Sequence, residues 1–393
     1  MGKLSARGAV VLEQARTLGP MIAAAADEIE ASRDLPEPLF SALVEADLFR
    51  LLQPLELGGA ELEPMDMVRF LEEIAMHDAS TAWCLGQGNV CGTVTAYLAP
   101  EVAREIFPDA RGIVAWGPGP GEGRAVPGGY RLNGTFSFAS GSRHATWLGA
   151  NVPVLEPDGT RRTAPDGSPT GYTLLFPKQR AQVLDTWQVL GLRGTGSDSY
   201  NVSDLFVPEA YAIPRNTQVK PRVDAQLYRF TPSTLYSSGF AGIALGIARA
   251  TLDGFVREIR DTVPRGASKR RGDNNVVQAE VGRAEARLRS ARMFLLGSLE
   301  QIWHEVGQSG ALTREQNVTI RLATTWAIQQ ARETVAALYL AAGAMAIFAV
   351  NPFERRFRDI HTLTQQIQGH AAHFETVGQI LLGMEPDRPL FTF

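Results

Sequence analysis

Apolar and polar positions change their spacing twice along this chain. From residue 7 to about 110, apolar side chains recur three and four residues apart; Leu39, Leu43, Leu48 and Phe49 mark one such face. This predicts helices over 9–18, 21–31, 36–46, 64–77 and 80–98, with a turn at Gly58-Gly59. Asp78 is the N-cap candidate for the last, whose Ala-, Gly- and Cys-rich composition predicts tight burial. From 112 to about 208 the spacing drops to two, in short runs broken by Gly, Pro, Asn and Asp. Such texture predicts an antiparallel sheet, with strands over 112–116, 129–132, 136–140, 147–154, 171–177, 181–184 and 200–207. Asn133-Gly134 reads as a hairpin turn, with Phe136 and Phe138 then pointing one way and Ser137 the other. Residues 156–171 read as an exposed excursion.

Beyond 238 the helical spacing returns over 239–263, 274–306, 314–348 and 353–382, which predicts an up-down four-helix bundle. Its apolar positions are too numerous for one face, so neighbouring subunits are expected to cover some of them. Residues 215–240 form an aromatic-rich link that either caps a pocket or packs on the bundle. The fold class is α+β: a helical part over 1–111, a central β-barrel or sandwich over 112–214, and a bundle with linker and tail over 215–393.

Composition narrows the function classes. At 393 residues and 45% hydrophobic the chain can bury a large core, and a net charge of −4 with scattered basic residues favours neither nucleic acid nor an anionic membrane. Its one dense basic run is Lys269-Arg270-Arg271. Two cysteines, Cys84 and Cys91, are too few for a disulfide framework, and no signal-like segment or eighteen-residue apolar run occurs. A reducing, cytoplasmic setting is expected.

The order of parts carries a resemblance. Leu48–Pro54 with Gly58-Gly59, Leu71–Ala75, Ala79–Trp83, the segment 130–147 and Gly191–Ser197 together resemble the acyl-CoA dehydrogenase superfamily across essentially the whole chain. That resemblance implies a flavin site in which Phe138 is the aromatic wall and Ser140 the hydroxyl at flavin N5. It implies further cofactor contacts from Gly141, Trp116, Arg193 and Arg358. The glycine-rich run 117–123 lacks a strand-to-helix setting, so it is not a dinucleotide fingerprint; it is either a flexible loop or a lining of the cavity.

Two departures separate the chain from common dehydrogenases. Their glutamate base follows the Arg-Asp motif by about eight residues; after Arg358-Asp359 that position is Ile367, and Glu375 lies two helical turns beyond it. Their glycine-rich diphosphate turn is replaced by Leu340–Ala346. Both features, with Arg358-Asp359-Ile360-His361-Thr362 and Ser140-Gly141, resemble the oxygenase components of two-component flavin monooxygenases. That branch implies reduced FMN or FAD from a separate NAD(P)H:flavin reductase, O₂ activation as a C4a-hydroperoxide, a small phenol or indole as substrate, and a homotetramer.

Ser140 and His361 are then the catalytic candidates. Trp83, Gln87, Asn89, His144, Tyr236 and Gln365 are the pocket candidates; Gln365 is expected on one helical face with Arg358 and His361, while Asp359 points elsewhere. No metal set is expected. The alternatives are a dehydrogenase or oxidase with bound FAD and Glu375 as base, and a non-catalytic flavin-binding homologue.

Overall fold

The computed structural model describes residues 4–388 except 166, 216–218, 264, 265 and 267. Five helices come first: α1 (Ala6–Ser32), α2 (Leu39–Glu45), α3 (Pro64–His77), α4 (Ala79–Gly92) and α5 (Pro100–Ile106). Where the pattern suggested two helices, α1 is one, with Pro20 inside it. The buried stripe of Ala15, Gly19, Ile22, Ala26 and Ile29 runs straight through the proline, so burial outweighs the lost backbone hydrogen bond. Asp78 caps α4 as its position predicts, accepting from the Thr81 amide at 2.6 Å. Every residue of α4 is buried, which explains the absence of a polar face in its sequence. It ends six residues earlier than expected, in a 3-10 turn, Thr93–Ala96.

Eight strands follow: β1 (Val114–Gly117), β2 (Gly121–Val126), β3 (Gly129–Phe136), β4 (Trp147–Leu155), β5 (Gly171–Pro177), β6 (Gln182–Leu184), β7 (Ser199–Pro208) and β8 (Ala212–Arg215). They form one sheet in the order β6-β7-β3-β2-β4-β5-β8, with β1 beside β4. The sheet is mixed, correcting the antiparallel expectation, because β1 and β2 both run parallel to β4. Between them lie Pro118 and Pro120, which have no N–H to give, so a single extended run is split into two strands. The run is packed rather than flexible: a Cβ on Gly117 would meet the Ser137 carbonyl oxygen at 1.8 Å.

Asn133-Gly134 makes no turn. Strand β3 passes through it, and the pairing with β7 slips there by one residue. This is a bulge, in which Asn133 Oδ1 accepts from the Asp204 amide at 2.8 Å. The hairpin turn is instead Pro127-Gly128, between the paired Val126 and Gly129.

The rest is helical: α6 (Pro232–Asp261), α7 (Asn275–Ser309), α8 (Arg314–Ala342), α9 (Pro352–Leu363) and α10 (His373–Leu381). Because α6 begins at Pro232, Tyr236 and Phe240 are helical residues and not part of the link. The fourth expected helix is broken between α9 and α10 by a stretch holding the 3-10 turn Ile367–Gly369. Helix α6 is the pivot, packing on α8, α7 and α9 of the bundle and on α3 and α4 of the first part. It is long and apolar enough to cross a membrane, but 78% of its apolar window is buried inside the fold, and that packing accounts for its composition.

Candidate active site

At the exit of β3 the alternation of side chains stops. Phe136 is fully buried, whereas Phe138 sits at φ 59° with its ring 63% exposed and Trp187 edge-on at 6.1 Å. A left-handed residue reverses the direction of the chain, so Phe138 faces out and Ser140 faces in. The Ser140 hydroxyl accepts from the Trp83 indole N–H at 2.9 Å and lies 2.7 Å from Ser197 Oγ. Ser197 Oγ lies 2.7 Å from Thr195 Oγ1, and the Thr195 hydroxyl donates to the Leu192 carbonyl at 2.9 Å.

Each hydroxyl holds a single proton, an indole N–H only donates and a carbonyl only accepts. The protons therefore run one way, from Trp83 through Ser140, Ser197 and Thr195 to Leu192. Ser140 gives its proton to Ser197 and keeps one lone pair free.

The far end of this chain is fixed by α9. Leu192 has φ 52°, and its amide donates to Asp359 Oδ1 at 2.6 Å. Burial pushes the Asp359 carboxyl up to about 7, against the pull of the Leu192 amide. Gly191 passes so close to α9 that a Cβ there would stand 2.3 Å from the Arg358 carbonyl oxygen. Asp359, expected to point away from the site, is thus its anchor.

Behind Ser140 stands a column of rings. Trp83 stacks on Phe240 at 3.9 Å and 4°, and Phe240 on Tyr236 at 5.6 Å and 22°. Tyr236 Oη is 3.3 Å from Cys91 Sγ, and the Gln87 amide donates to the Trp116 carbonyl at 3.4 Å. Trp83, Gln87 and Cys91 are four residues apart on α4, and Tyr236 and Phe240 four apart on α6, so two helix faces build the wall. Burial raises the Cys91 thiol to about 12 and the Tyr236 phenol well above its usual range. Both keep their protons at neutral pH, and neither serves as a base.

Other candidates lie elsewhere. Asn89 is fully buried and spends its amide on the Leu51 and Leu52 N–H groups and the Leu48 and Leu85 carbonyls, tying α4 to the preceding turn. His144 is wedged against Phe40 and Phe49 at 5.2 and 5.5 Å, with Nδ1 3.4 Å from Asp34, and its buried Nε2, which makes no hydrogen bond, lies against Gly141. Arg358 is engaged by Glu354, by Glu30 at 2.7 Å and by the Leu190 carbonyl at 2.6 Å, so it braces α9 against α1. Gln365 falls past the end of α9 and is exposed, because the helix stops at Leu363.

His361 is half-buried on α9, its Nδ1 2.7 Å from the Phe357 carbonyl. That contact places the proton on Nδ1 and leaves Nε2 as the acceptor in the neutral ring. Gly141 donates its amide to Thr195 O at 2.8 Å, closing the loop around the hydroxyls. Arg193 sits beside Thr195 with a half-exposed side chain, its buried Nε making no hydrogen bond but lying 3.8 Å from Glu30 Oε1. Sequence reasoning singles out only Arg193 from 191–197; the structure adds Thr195 and Ser197, and from the helices Phe240 and Cys91. The Gly-Thr-Gly-Ser spacing was the available signal, but which hydroxyl meets which is set by the fold.

Two family models match the chain: acyl-CoA dehydrogenase, N-terminal domain, over residues 13–110, and acyl-CoA dehydrogenase, C-terminal domain, over residues 238–373. The chain belongs to the acyl-CoA dehydrogenase superfamily. Within that superfamily it is similar to indole-3-acetate monooxygenase of Pseudomonas putida, 27% identical over 361 residues that cover 91% of this chain and 90% of the relative. It is 26% identical over 368 residues to the flavin-dependent monooxygenase, oxygenase subunit HsaA, of Rhodococcus jostii (strain RHA1), covering 89% and 92% of the two chains. Its fold superposes with a TM-score of 0.87 on XiaF from Streptomyces sp. in complex with FADH2 and glycerol, at 23% identity and 97% of each chain. In this superfamily chain the position of the usual glutamate base is Ile367, 54% exposed, and Glu375 is exposed on the first turn of α10.

Proposed function

We propose that the chain is the oxygenase component of a two-component flavin-dependent monooxygenase. It receives reduced FMN or FAD from a separate NAD(P)H:flavin reductase and uses O₂ to oxygenate a small aromatic such as a phenol or an indole. The reduced flavin supplies two electrons, with which one oxygen atom enters the substrate and the other leaves as water. The observation that carries this reading is the one-way hydroxyl chain. Reduced flavin has a proton on N5 and oxidised flavin does not, so the free lone pair on Ser140 suits the reduced form.

The surroundings fit a flat, anionic cofactor. Phe138 presents an exposed apolar surface, 63%, with the Trp187 ring edge-on to it, Leu190 is 62% exposed, and Arg193 brings a half-exposed guanidinium, paired with Glu30 at 3.8 Å, to the same turn as Thr195. The stacked Trp83, Phe240 and Tyr236 rings exclude water from behind Ser140, which limits wasteful breakdown to hydrogen peroxide. His361, with Nε2 as an acceptor, is the group proposed to take the proton of a phenol or indole N–H. The dehydrogenase alternative needs a sheltered carboxylate base, and Glu375 lies in solvent. A homotetramer is supported by exposed apolar residues on the bundle, and a reducing, cytoplasmic setting by the free, buried thiols of Cys84 and Cys91.

The test is to mix the apoprotein and photoreduced FMN or FAD with oxygenated buffer, with and without phenol or indole substrates. Expected are slowed peroxide release and, with substrate, an oxygenated product replacing peroxide. Immediate stoichiometric peroxide with every aromatic, together with anaerobic bleaching of bound FAD by an acyl-CoA, overturns the reading in favour of Glu375 as base.

A further inference from the structure

Strand β8 carries Ile213 and Arg215 two residues apart and therefore on one face of the sheet. Ile213 packs into the small core that contains Cys91 and Val114, with Trp116 against it. Arg215 consequently leaves the sheet toward the end of α4 where Cys91 meets Tyr236. It is only partly exposed, and burial lowers its pKa against the opposing effect of Tyr236 and Cys91, its neighbours at this corner, which both keep their protons at neutral pH. Among the described residues no aspartate or glutamate pairs with it, whereas Arg143, Arg162 and Arg358 each hold a carboxylate at 2.7 Å or closer.

The groups around it are donors as well. Tyr236 keeps its phenolic proton, held up by burial and by Cys91 and pulled back by Arg215 and a Trp116 N–H. Gln87 turns its amide nitrogen to the same corner. Half-burying a guanidinium without an anion is costly, and the fork of N–H groups is shaped to take a carboxylate through two parallel hydrogen bonds. One end of the ring wall therefore offers stacking surface and a hydroxyl at Ser140, and the other a cation with no counter-charge.

We propose that Arg215 is a specificity residue that binds the carboxylate of an aromatic acid whose ring lies along the wall of Trp83, Phe240 and Tyr236. The proposal rests on the reading of that wall as the substrate pocket. It narrows the substrate class to aryl acids with a short side chain and disfavours neutral and cationic aromatics.

A matched pair of probes tests it: indole-3-acetate and 3-methylindole, which share a ring and differ in the carboxylate, titrated calorimetrically into the full chain under anaerobic conditions with reduced FMN. The wild-type chain is expected to bind the acid at least about tenfold more tightly, the scale of one charge-assisted pair. Arg215→Gln is expected to lose that preference while binding 3-methylindole as before, and Arg215→Lys to keep part of it. Equal weakening of both probes in Arg215→Gln, no preference in the wild type, or binding of neither probe overturns the proposal. Because the readout is binding, peroxide release without substrate still judges the monooxygenase reading separately.

Discussion

Ser140 shows how one side chain can be decided by its neighbours' hydrogen-bond valence. Its proton is committed to Ser197 because Trp83 can only give and Leu192 can only receive. Ser140→Ala leaves the buried Trp83 N–H without an acceptor, and the expected loss is about 1–3 kcal/mol in chemical denaturation. A larger share of oxygen consumed should also appear as peroxide; unchanged stability and unchanged peroxide would mean that the indole finds another partner and that flavin N5 does not use this oxygen. Asp359 offers a pH test. Its carboxyl is raised to about 7 in the fold, chiefly by burial, against an ordinary value of about 4. A raised carboxyl binds its proton more tightly folded than unfolded, so the stability it contributes is complete below about pH 4 and is lost as pH climbs toward 7. Asparagine cannot ionise yet can still accept from the Leu192 amide. Melting temperatures of Asp359→Asn should therefore fall less between pH 4 and 7 than those of the wild type, and parallel curves would show that Asp359 is not the titrating group.

At the scale of elements, the site is the meeting of α4, α6, the exit of β3 and the 191–197 turn, with α9 holding that turn from outside. Gly191→Ala tests the hold, since the added Cβ would collide with the Arg358 carbonyl backbone of α9 at 2.3 Å. Overpacking of this kind costs about 1–3 kcal/mol. Displacing the turn should also weaken reduced-flavin binding in an anaerobic titration, and full affinity in a destabilised variant would separate the turn from the cofactor. Misread elements have local causes. Pro20 and Asn133-Gly134 carry strong break and turn preferences, but a buried stripe overrules the first and ladder pairing on both sides of β3 overrules the second. The spacing predicts one helix over 353–382 where the fold has α9 and α10, because the apolar periodicity continues across the break.

For the whole molecule, the bundle end leaves apolar side chains in water: Leu340 82% exposed, Ile347 61%, Phe348 60% and Val350 94%. Exposed apolar residues this close together along the chain are the surface that the proposed homotetramer is expected to cover. If the proposed homotetramer forms through this surface, the double substitution Leu340→Glu and Val350→Glu shifts sedimentation to smaller species with the helical content kept. Unchanged sedimentation would place the interface elsewhere.

What the sequence determined by itself was periodicity and local chemistry: three successive textures, the cap at Asp78, the boundaries of α3 and β5, and the presence of a hydroxyl, an aromatic and an Arg-Asp-Ile-His-Thr run at meaningful places. Those follow from interactions within a few residues, which spacing records. Tertiary structure alone decided that Trp83, Ser140 and Ser197, separated by 57 residues at each step, share one proton chain, that Asp359 reaches Leu192 across 167 residues, and that Asn89 ties α4 to the turn before it. A hydrogen bond between distant segments depends on the path of the backbone between them, and hydrophobic spacing carries no record of that path.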